Sequence, residues 1–430
     1  MTPYTKHNQL TIKTFKKILL FLLFFIFTTG FSQEKPEQIM WKEDIEFLRV
    51  ELPKNHKNFY FKKSENDFDI GLNQIISQLD SLNDFSITIK LQQLIAGFGD
   101  SHTSIRGHYF IKKDEILPIG LYWFRDGIYI IKSSEENIDL LGAKIIRINE
   151  FPIATIIDSL STLITVDNMA IVKNETPNLV PYAQLLKHFD FDNNGIYEIE
   201  AEFPNGEIVK KKIAPTTRDK IIRYKSDSIA HCWNNRNVAF SETYFEKDKI
   251  YYIKYNQCSP KSEVINPDKK EGATEIISFD DFKKTVFKTL KKKDVEKLIF
   301  DMRLNPGGSS YQGTVFIKKL SKFKCINQEG KLFVVIGRAT FSSAIMNTLN
   351  FKKYTNALIV GEQTSGKPNH YGDVEYFELP NSKIQVSYSI KYFKMSENDN
   401  NTIMPDIEIE TNFIDFKQGI DPVYEWIKKY

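Results

Sequence analysis

The chain has 430 residues, 41% of them hydrophobic and 26% charged, so it is too long for one hydrophobic core and is expected to form two or three domains. Lysine and arginine exceed aspartate and glutamate by only 58 to 55, and this balance gives no indication of a nucleic-acid-binding surface. Three cysteines allow at most one disulfide. Because the sequence has no C-x-x-C pair, H-E-x-x-H, Walker loop or G-x-G-x-x-G, we expect neither a metal site nor a cofactor.

The first 32 residues have the pattern of an export signal. Four lysines precede an almost unbroken apolar run over 18–31, and Gly30 and Ser32 supply small residues at the positions that cleavage requires. The run is shorter than the ~20 apolar residues that a membrane-spanning helix needs. We therefore predict a signal peptide over 1–32, export to the periplasm or out of the cell, and a mature chain that has almost no net charge and no membrane span.

Residues 41–100 are predicted to be helical. Apolar residues recur there at helical spacing in two sets, Phe68, Leu72, Ile75, Ile76 and Leu79, then Ile87, Leu91, Leu94 and Ile95. The second pattern stops at Gly97 and Gly99, since glycine ends helices. A polar loop, Asp100-Ser101-His102-Thr103, follows directly.

The middle of the chain has the pattern of a small β-rich module. A hairpin is predicted within 117–132 around Asp126-Gly127, a strand over 141–149, a helix over 153–163, and a second hairpin within 195–213 around Asn205-Gly206.

From about residue 249 the pattern becomes α/β. Short apolar strands are predicted at 298–301, 332–336 and 357–360, alternating with helices at 311–322 and 341–353. This alternation predicts a parallel sheet with right-handed crossovers, and an antiparallel pair is expected within 374–390. The predicted fold class is therefore α+β, with an N-terminal helical region, a β module and a C-terminal α/β core.

Three unusual loops follow the three predicted parallel strands. They contain Gly307-Gly308, Ser342-Ser343 and Lys367, and ligands of parallel sheets bind where such loops meet. A serine at a helix start lies where free N–H groups favour negative charge. A glycine turn can bring an N–H group close to a reacting carbonyl. The residues alone also allow a plain helix cap and a plain turn.

Five segments resemble the tail-specific, C-terminal-processing serine peptidases, including the tricorn core protease and the retinoid-binding-protein-like group. The first three are Phe300-Asp301-Met302-Arg303-Leu304-Asn305-Pro306-Gly307-Gly308, Gly337-Arg338-Ala339-Thr340-Phe341-Ser342-Ser343-Ala344 and Val360-Gly361-Glu362-Gln363-Thr364-Ser365-Gly366-Lys367. Gly99-Asp100-Ser101-His102-Thr103 is similar to the family's Asp-x-His-Thr loop, and Met404-Pro405-Asp406-Ile407 to its closing Pro-Asp segment. The resemblance extends from about residue 41 to 410.

The resemblance implies an endopeptidase that acts on protein or peptide tails. Ser342 would be the nucleophile, with the amides of Gly307 or Gly308 and of Ser343 as oxyanion donors. The resemblance also implies a degenerate PDZ-like module over 117–163 and a core whose parallel βαβαβ sheet is ClpP/crotonase-like. The expected divisions are the signal peptide 1–32, a helical region 33–110, a β module 111–215 and a catalytic core 216–430. A protein or peptide is the expected partner, nucleic acid is not, and the oligomeric state is open.

The sequence offers two general bases. His102 would need an orienting partner, and the candidates are Ser101 together with Glu397 or Asp399. With His102 as the base, kcat/KM is expected to rise with an apparent pKa of about 6 to 7. Lys367 stands at the spacing from Ser342 found in lysine-using members, but the usual Ser-Ala-Ser-Glu of those members is replaced here by Ser-Ser-Ala-Ile. We favour His102.

Two other readings of the chain remain. A serine esterase is disfavoured because the sequence lacks a G-x-S-x-G elbow. A peptide- or ligand-binding protein with an impaired catalytic core is the alternative function.

Overall fold

The computed structural model describes residues 36–105, 115–217, 221–224, 228–234, 236–265 and 274–430. The predicted signal peptide, 1–32, lies outside these residues. The predicted α+β class is confirmed, since helices and several separate sheets make up the described chain. Among the helices within these ranges, none is both long and apolar enough to span a membrane.

The N-terminal region is helical, as predicted. It comprises α1 (Pro36–Asn55), α2 (Glu65–Ile76) and α3 (Asp84–Ala96). Local signals determine the helix ends: Ser64 forms a capping box with Asp67, and the Asn83 side chain accepts from the N–H of Ser86.

A three-stranded sheet packs against these helices. Strand β1 (Ser104–Ile105) pairs with the far C-terminal part of the chain. The sheet order is β1-β17-β16, where β16 is His370–Glu378 and β17 is Gln385–Phe393. The helices and this sheet share one apolar core, and this docking brings the loop before β1 to the α/β core.

The β module forms an antiparallel sheet of order β2-β3-β4-β6-β7. Its strands are β2 (Ile119–Phe124), β3 (Gly127–Ser134), β4 (Lys144–Ile148), β5 (Phe151–Pro152), β6 (Tyr197–Glu202), β7 (Ile208–Ile213) and β8 (Ile221–Arg223). Strand β5 pairs with β4, and β8 pairs with β3.

Three helices belong to this module. They are α4 (Ile153–Ser161), α5 (Met169–Leu179) and α6 (Ala183–His188). The sequence predicted α4 but neither α5 nor α6. Helix α5 contains Pro177, a residue that normally indicates a helix end, and α6 is too short for a periodic apolar pattern.

The α/β core is built on a six-stranded sheet of order β18-β15-β14-β13-β10-β9. Its strands are β9 (Phe240–Phe245), β10 (Ile250–Tyr255), β13 (Lys297–Asp301), β14 (Leu332–Ile336), β15 (Leu358–Gly361) and β18 (Ile407–Glu408). All neighbours from β10 to β18 are parallel, which confirms the predicted parallel sheet, while β9 is antiparallel to β10. A separate hairpin, β11 (Lys261–Ile265) with β12 (Thr274–Ser278), precedes the core helices.

Helices cover both faces of this sheet. One face carries α7 (Phe279–Lys292), α8 (Ser310–Leu320) and α9 (Ser343–Tyr354), packed on the largest apolar core. The other face carries α11 (Pro422–Lys429), preceded by α10 (Phe413–Gln418). Strands β13 and β14 are buried on both faces and therefore read as continuous apolar runs in the sequence. The predicted helix 341–353 starts two residues late, because Phe341 and Ser342 form a sharp turn before it.

Candidate active site

Ser342 lies in a strained turn at the carboxyl end of the parallel sheet. Its backbone has φ 50° and ψ −123°, a conformation that residues with a side chain rarely adopt. Such a conformation costs roughly 1–3 kcal/mol and persists only where its surroundings enforce it. Here the N–H of Phe341 donates to the Asn305 carbonyl at 3.0 Å, and the N–H of Ile345 donates to the Ser342 carbonyl at 2.9 Å. The turn therefore presents Ser342 at the start of α9.

The Gly307-Gly308 turn packs directly against this serine. Both glycines have positive φ, 111° and 128°. A methyl group added to Gly307 would lie 2.7 Å from Ser342 Cβ and 3.0 Å from the Ser343 nitrogen. The turn can approach the serine this closely only because no side chain intervenes.

Hydrogen bonds distinguish the two glycine amides. The Gly307 N–H donates to Asn305 Oδ1 at 2.9 Å, so it is already used. Within the described chain, the N–H groups of Gly308 and Ser343 have no hydrogen-bond acceptor. The Ser343 hydroxyl donates to the Gly308 carbonyl at 2.7 Å, which ties the turn to α9. Of the donors that the sequence suggested, the free pair is Gly308 with Ser343.

Residues that the sequence left without a role hold this turn. Asn305 is completely buried, and its Nδ2 donates to the Tyr255 carbonyl at 2.7 Å. Arg303 forms ion pairs of 3.0 Å with both Asp301 and Asp421. Burial by itself would raise the pKa of Asp421, but the Arg303 charge and the hydrogen bonds to the carboxylate together outweigh it, and the pKa is lowered. Arg303 and Asn305 belong to the motif that ends in Gly307-Gly308, and their place in this motif is the sequence feature that could have indicated their role.

His102 is buried beside the serine turn. Its side chain is 10% exposed and its ring stacks on Phe341, with centroids 4.6 Å apart, and on His370, with centroids 5.7 Å apart. Burial lowers the pKa of His102 to about 4, although the nearby Asp100 carboxylate acts to raise it. Neither ring nitrogen has a hydrogen-bond partner among the residues that the structure describes. Buried nitrogens without partners are costly, so this ring is a neutral base whose hydrogen-bonding capacity is unused.

Asp100 is the carboxylate next to His102. Its Oδ1 accepts from the His102 backbone N–H at 3.0 Å and lies 3.9 Å from His102 Nδ1. Its Oδ2 contacts His56 Nε2 at 3.0 Å and accepts from the hydroxyls of Thr103 and Ser389 at 2.6 Å. Burial alone would raise the pKa of Asp100, but the hydrogen bond from His56 and the other interactions hold it well below its usual range. Asp100 is thus an ionised group close to the imidazole, but its distance of 3.9 Å from His102 Nδ1 is too long for a hydrogen bond.

The structure does not bring the expected orienting residues to His102. Glu397 pairs with Lys394 at 2.9 Å and its side chain is 92% exposed, while Asp399 is also exposed. In the described chain neither makes an ion pair or hydrogen bond with His102. Ser101 makes no hydrogen bond to the imidazole ring either and lines a neighbouring cavity. Both expected acids follow Ser342 in the sequence, whereas the carboxylate that lies near the imidazole belongs to Asp100, two residues before His102.

Lys367 is engaged elsewhere. Its Nζ bonds to Asp167 Oδ1 at 2.7 Å, and no hydrogen bond joins it to Ser342 among the described residues. Burial raises the pKa of Asp167 even though the lysine charge acts against this shift. The pair connects the loop after β15 to the segment before α5. It therefore has the geometry of a structural ion pair.

All three cysteines are free, Cys232 and Cys258 buried and Cys325 exposed. Within the described ranges, no group of three or more histidine, cysteine or acidic side chains is arranged to hold a metal ion.

Comparisons with solved structures identify the fold. The crystal structure of mature CPAF matches with a TM-score of 0.59 at 14% identity, covering 91% of this chain and 96% of that one. Mature CPAF complexed with lactacystin matches with the same TM-score and identity, covering 97% of its chain. The photosystem II D1 C-terminal processing protease covers 90% of this chain with a TM-score of 0.40 at 11% identity. The chain has the C-terminal-processing S41 peptidase fold.

Comparison of the sequence alone gives no match. A scan against protein-family models gives no match, and a search of curated proteins gives none either.

Proposed function

We propose that this chain is an exported serine peptidase that hydrolyses peptide bonds through an acyl-enzyme on Ser342. One observation carries the proposal. Ser342 has a strained left-handed backbone at the carboxyl end of a parallel strand, and the Gly307-Gly308 turn lies against it with the amides of Gly308 and Ser343 unpaired. A plain helix cap requires neither the strain nor the unpaired amides, and the Ser342 side chain makes no capping hydrogen bond.

The proposed reaction uses His102 as the general base. As Ser342 Oγ bonds to the substrate carbonyl carbon, its proton passes to His102, and the carbonyl oxygen becomes an oxyanion bound by the N–H groups of Gly308 and Ser343. His102 then gives the proton to the leaving amine as the peptide bond breaks. A water molecule cleaves the resulting ester by the same route, which restores Ser342. The Asp100 carboxylate, 3.9 Å from His102 Nδ1, stabilises the charged form of the imidazole.

We propose that the region 117–163 is PDZ-like, that the core is ClpP/crotonase-like, and that the chain divides at about residues 32, 110 and 215. A substrate tail would add to the β module as a strand. Strand β3 already pairs with β2 on one side and with β4 and β8 on the other. Strand β2, a terminal strand of the sheet, is therefore the favoured edge.

A fluorophosphonate probe tests the central claim, because only an activated serine reacts with it. We expect stoichiometric labelling of the mature protein, with the adduct on Ser342 by peptide mass spectrometry, and no labelling of Ser342→Ala. Cleavage of internal peptide bonds would distinguish a peptidase from an esterase. A folded protein that neither labels nor cleaves would favour the alternative, a peptide- or ligand-binding protein with an impaired core.

Matched peptides test the tail hypothesis. A peptide with a free C-terminus should be cut faster than the same peptide with an amidated C-terminus. Equal rates would remove tail recognition from the proposal while leaving the serine chemistry intact.

A further inference from the structure

A cavity of about 300 Å³ is lined in part by residues that adjoin the proposed nucleophile, Ser342, and its glycine turn in the chain. Its wall includes Pro306, which directly precedes Gly307, and Phe341, which directly precedes Ser342. The loop around His102 supplies another part of the wall through Ser101 and Thr103. A substrate whose carbonyl carbon is in contact with Ser342 can therefore extend a neighbouring side chain into this space.

Helix α5 forms another part of the cavity wall, and side-chain contacts hold this helix against the core. The Asn168 amide, at its N-terminus, donates to the carbonyls of Thr364 at 3.1 Å, Ser365 at 3.2 Å and Asn401 at 2.7 Å. One helical turn further on, Lys173 pairs with Glu410 at 2.8 Å. The residues of α5 that face the cavity thus have a defined position relative to the serine.

Glu175, on α5, is the only charged side chain among the described residues that line this cavity. The side chain is exposed, yet enough protein surrounds it that desolvation raises the pKa of the carboxyl group. The Asn174 amide donates to Oε1 at 2.6 Å. Within the described chain the carboxylate has no ion pair with a lysine, arginine or histidine. An acid in this position lacks a counter-ion.

The rest of the wall is suited to a long aliphatic chain. Leu163, Ile164 and Ile171 line it next to the carboxylate, and the other polar groups are hydroxyls and amides. Lysine and arginine combine an apolar stem with a charged end, and their stems pack on apolar surface while the charge reaches a polar partner. A carboxylate is the strongest such partner for either cation.

We propose that this cavity accepts a lysine or arginine side chain of the substrate next to the bond that is cut, with Glu175 as the residue that determines this preference. The proposal rests on the proposed peptidase function and specifies its substrate class. A neutral or acidic side chain in the same space would offer the Glu175 carboxylate no positive charge, and the peptide carrying it would be discriminated against.

A peptide series tests the proposal. Internally quenched peptides differ at one residue, scanned over the positions on both sides of the cut, and carry lysine, arginine, glutamine, norleucine or glutamate there. At one position the basic peptides should exceed glutamine roughly 3- to 10-fold in kcat/KM, as expected for a charge-assisted contact to a carboxylate that solvent partly screens. Glu175→Gln should abolish this preference, and Glu175→Lys should reverse it towards glutamate. Glu207→Gln, which removes the same charge from an exposed hairpin turn, should leave it unchanged.

Binding supplies a readout that does not require turnover. The Ser342→Ala variant should bind the preferred basic peptide roughly 10-fold more tightly than its glutamine counterpart by fluorescence anisotropy, and adding Glu175→Gln should remove the difference. A protein that binds with this preference but neither cleaves nor labels would refute the peptidase and retain the pocket. Cleavage or binding without any preference for a basic residue, or a preference that survives Glu175→Gln, would overturn the inference.

Discussion

The imidazole of His102 stacks on the phenyl ring of Phe341, with planes 25° from parallel. Phe341 directly precedes Ser342, so this contact joins the loop after the N-terminal helices to the serine turn of the α/β core. The site is consequently shared between two parts of the chain, and it forms only when the sheet β1-β17-β16 docks the helical region correctly. Activity should therefore depend on this docking as well as on the chemistry of individual side chains.

Replacement of either serine of the Ser342-Ser343 pair should give very different losses. Ser342→Ala should reduce kcat on the order of 10⁶-fold, because it removes the nucleophile. Ser343→Ala keeps the backbone N–H and loses only the hydroxyl that donates to the Gly308 carbonyl, so about a tenfold loss is expected. Steady-state kinetics on one quenched peptide compares the two. The reverse order would make Ser343 the nucleophile.

The pH profile should reflect a buried imidazole. Since burial lowers the pKa of His102 to about 4, the neutral form that accepts a proton predominates above that pH. We expect kcat/KM to rise with pH through an apparent pKa near 4 and then to stay level up to pH 7. This apparent pKa is lower than the value of 6 to 7 expected from the sequence. Because the unfolded histidine titrates near 6.5, stability should fall as the pH drops from about 6.5 to 4.

Circular dichroism over the same range separates this loss of stability from loss of activity. A midpoint of kcat/KM at pH 6 to 7 in a fully folded enzyme would contradict the lowered pKa of His102, but it would still fit a histidine base.

Asp100 should matter where Glu397 and Asp399 do not. Asp100→Asn removes the charge that supports the imidazolium, so a loss of roughly 10²- to 10⁴-fold in kcat is expected, by analogy with other serine peptidases. The midpoint of the pH profile should also move down, because the Asp100 charge raises the pKa of His102. Glu397→Gln and Asp399→Asn are the matched controls and should stay within about twofold, since exposed charges contribute little. A severe loss of kcat in either control would show that the substituted residue, and not Asp100, orients the His102 imidazole.

Gly307 should tolerate no side chain. Gly307→Ala adds a methyl group 2.7 Å from Ser342 Cβ at a residue with φ 111°, so the serine or the turn must move and about a 100-fold loss of kcat/KM is expected. Gly206→Ala is the control: its φ is 85°, but its methyl group would meet nothing within 4 Å. Both variants should lose roughly 1 kcal/mol of stability from backbone strain. Equal kcat/KM values for Gly307→Ala and Gly206→Ala would show that the close approach of Gly307 to Ser342 is not required for turnover.

Lys367 should be needed for stability more than for chemistry. Lys367→Met leaves the Asp167 carboxylate, 8% exposed, without its cation, and about 2 kcal/mol of unfolding free energy should be lost after allowing for the lysine's partial exposure. Adding Asp167→Asn should recover part of it, because the uncompensated charge is then gone. Denaturant unfolding and kcat/KM measure the two effects separately. A folded but completely inactive Lys367→Met would make the lysine the base.

Several elements of the core could be predicted because their signals are local. Strands β13 and β14 are apolar on both faces, the Gly307-Gly308 turn needs glycine at both positions, and Ser342 opens a helix. Each of these properties depends on a few consecutive residues. Helix α5 was missed for the same reason, since Pro177 and a sparse apolar pattern hide it.

The sequence by itself determined which residues end the parallel strands, and parallel topology then gathers Gly307, Gly308, Ser342 and Lys367 at one edge. Only the tertiary structure decided the partners of these groups. His56 reaches Asp100 from helix α1's end, Asp167 takes the charge of Lys367, and Glu175 faces the cavity without a counter-ion. These contacts join residues from separate helices, loops and sheets. Their geometry depends on how whole elements pack, and no periodic pattern along the chain encodes it.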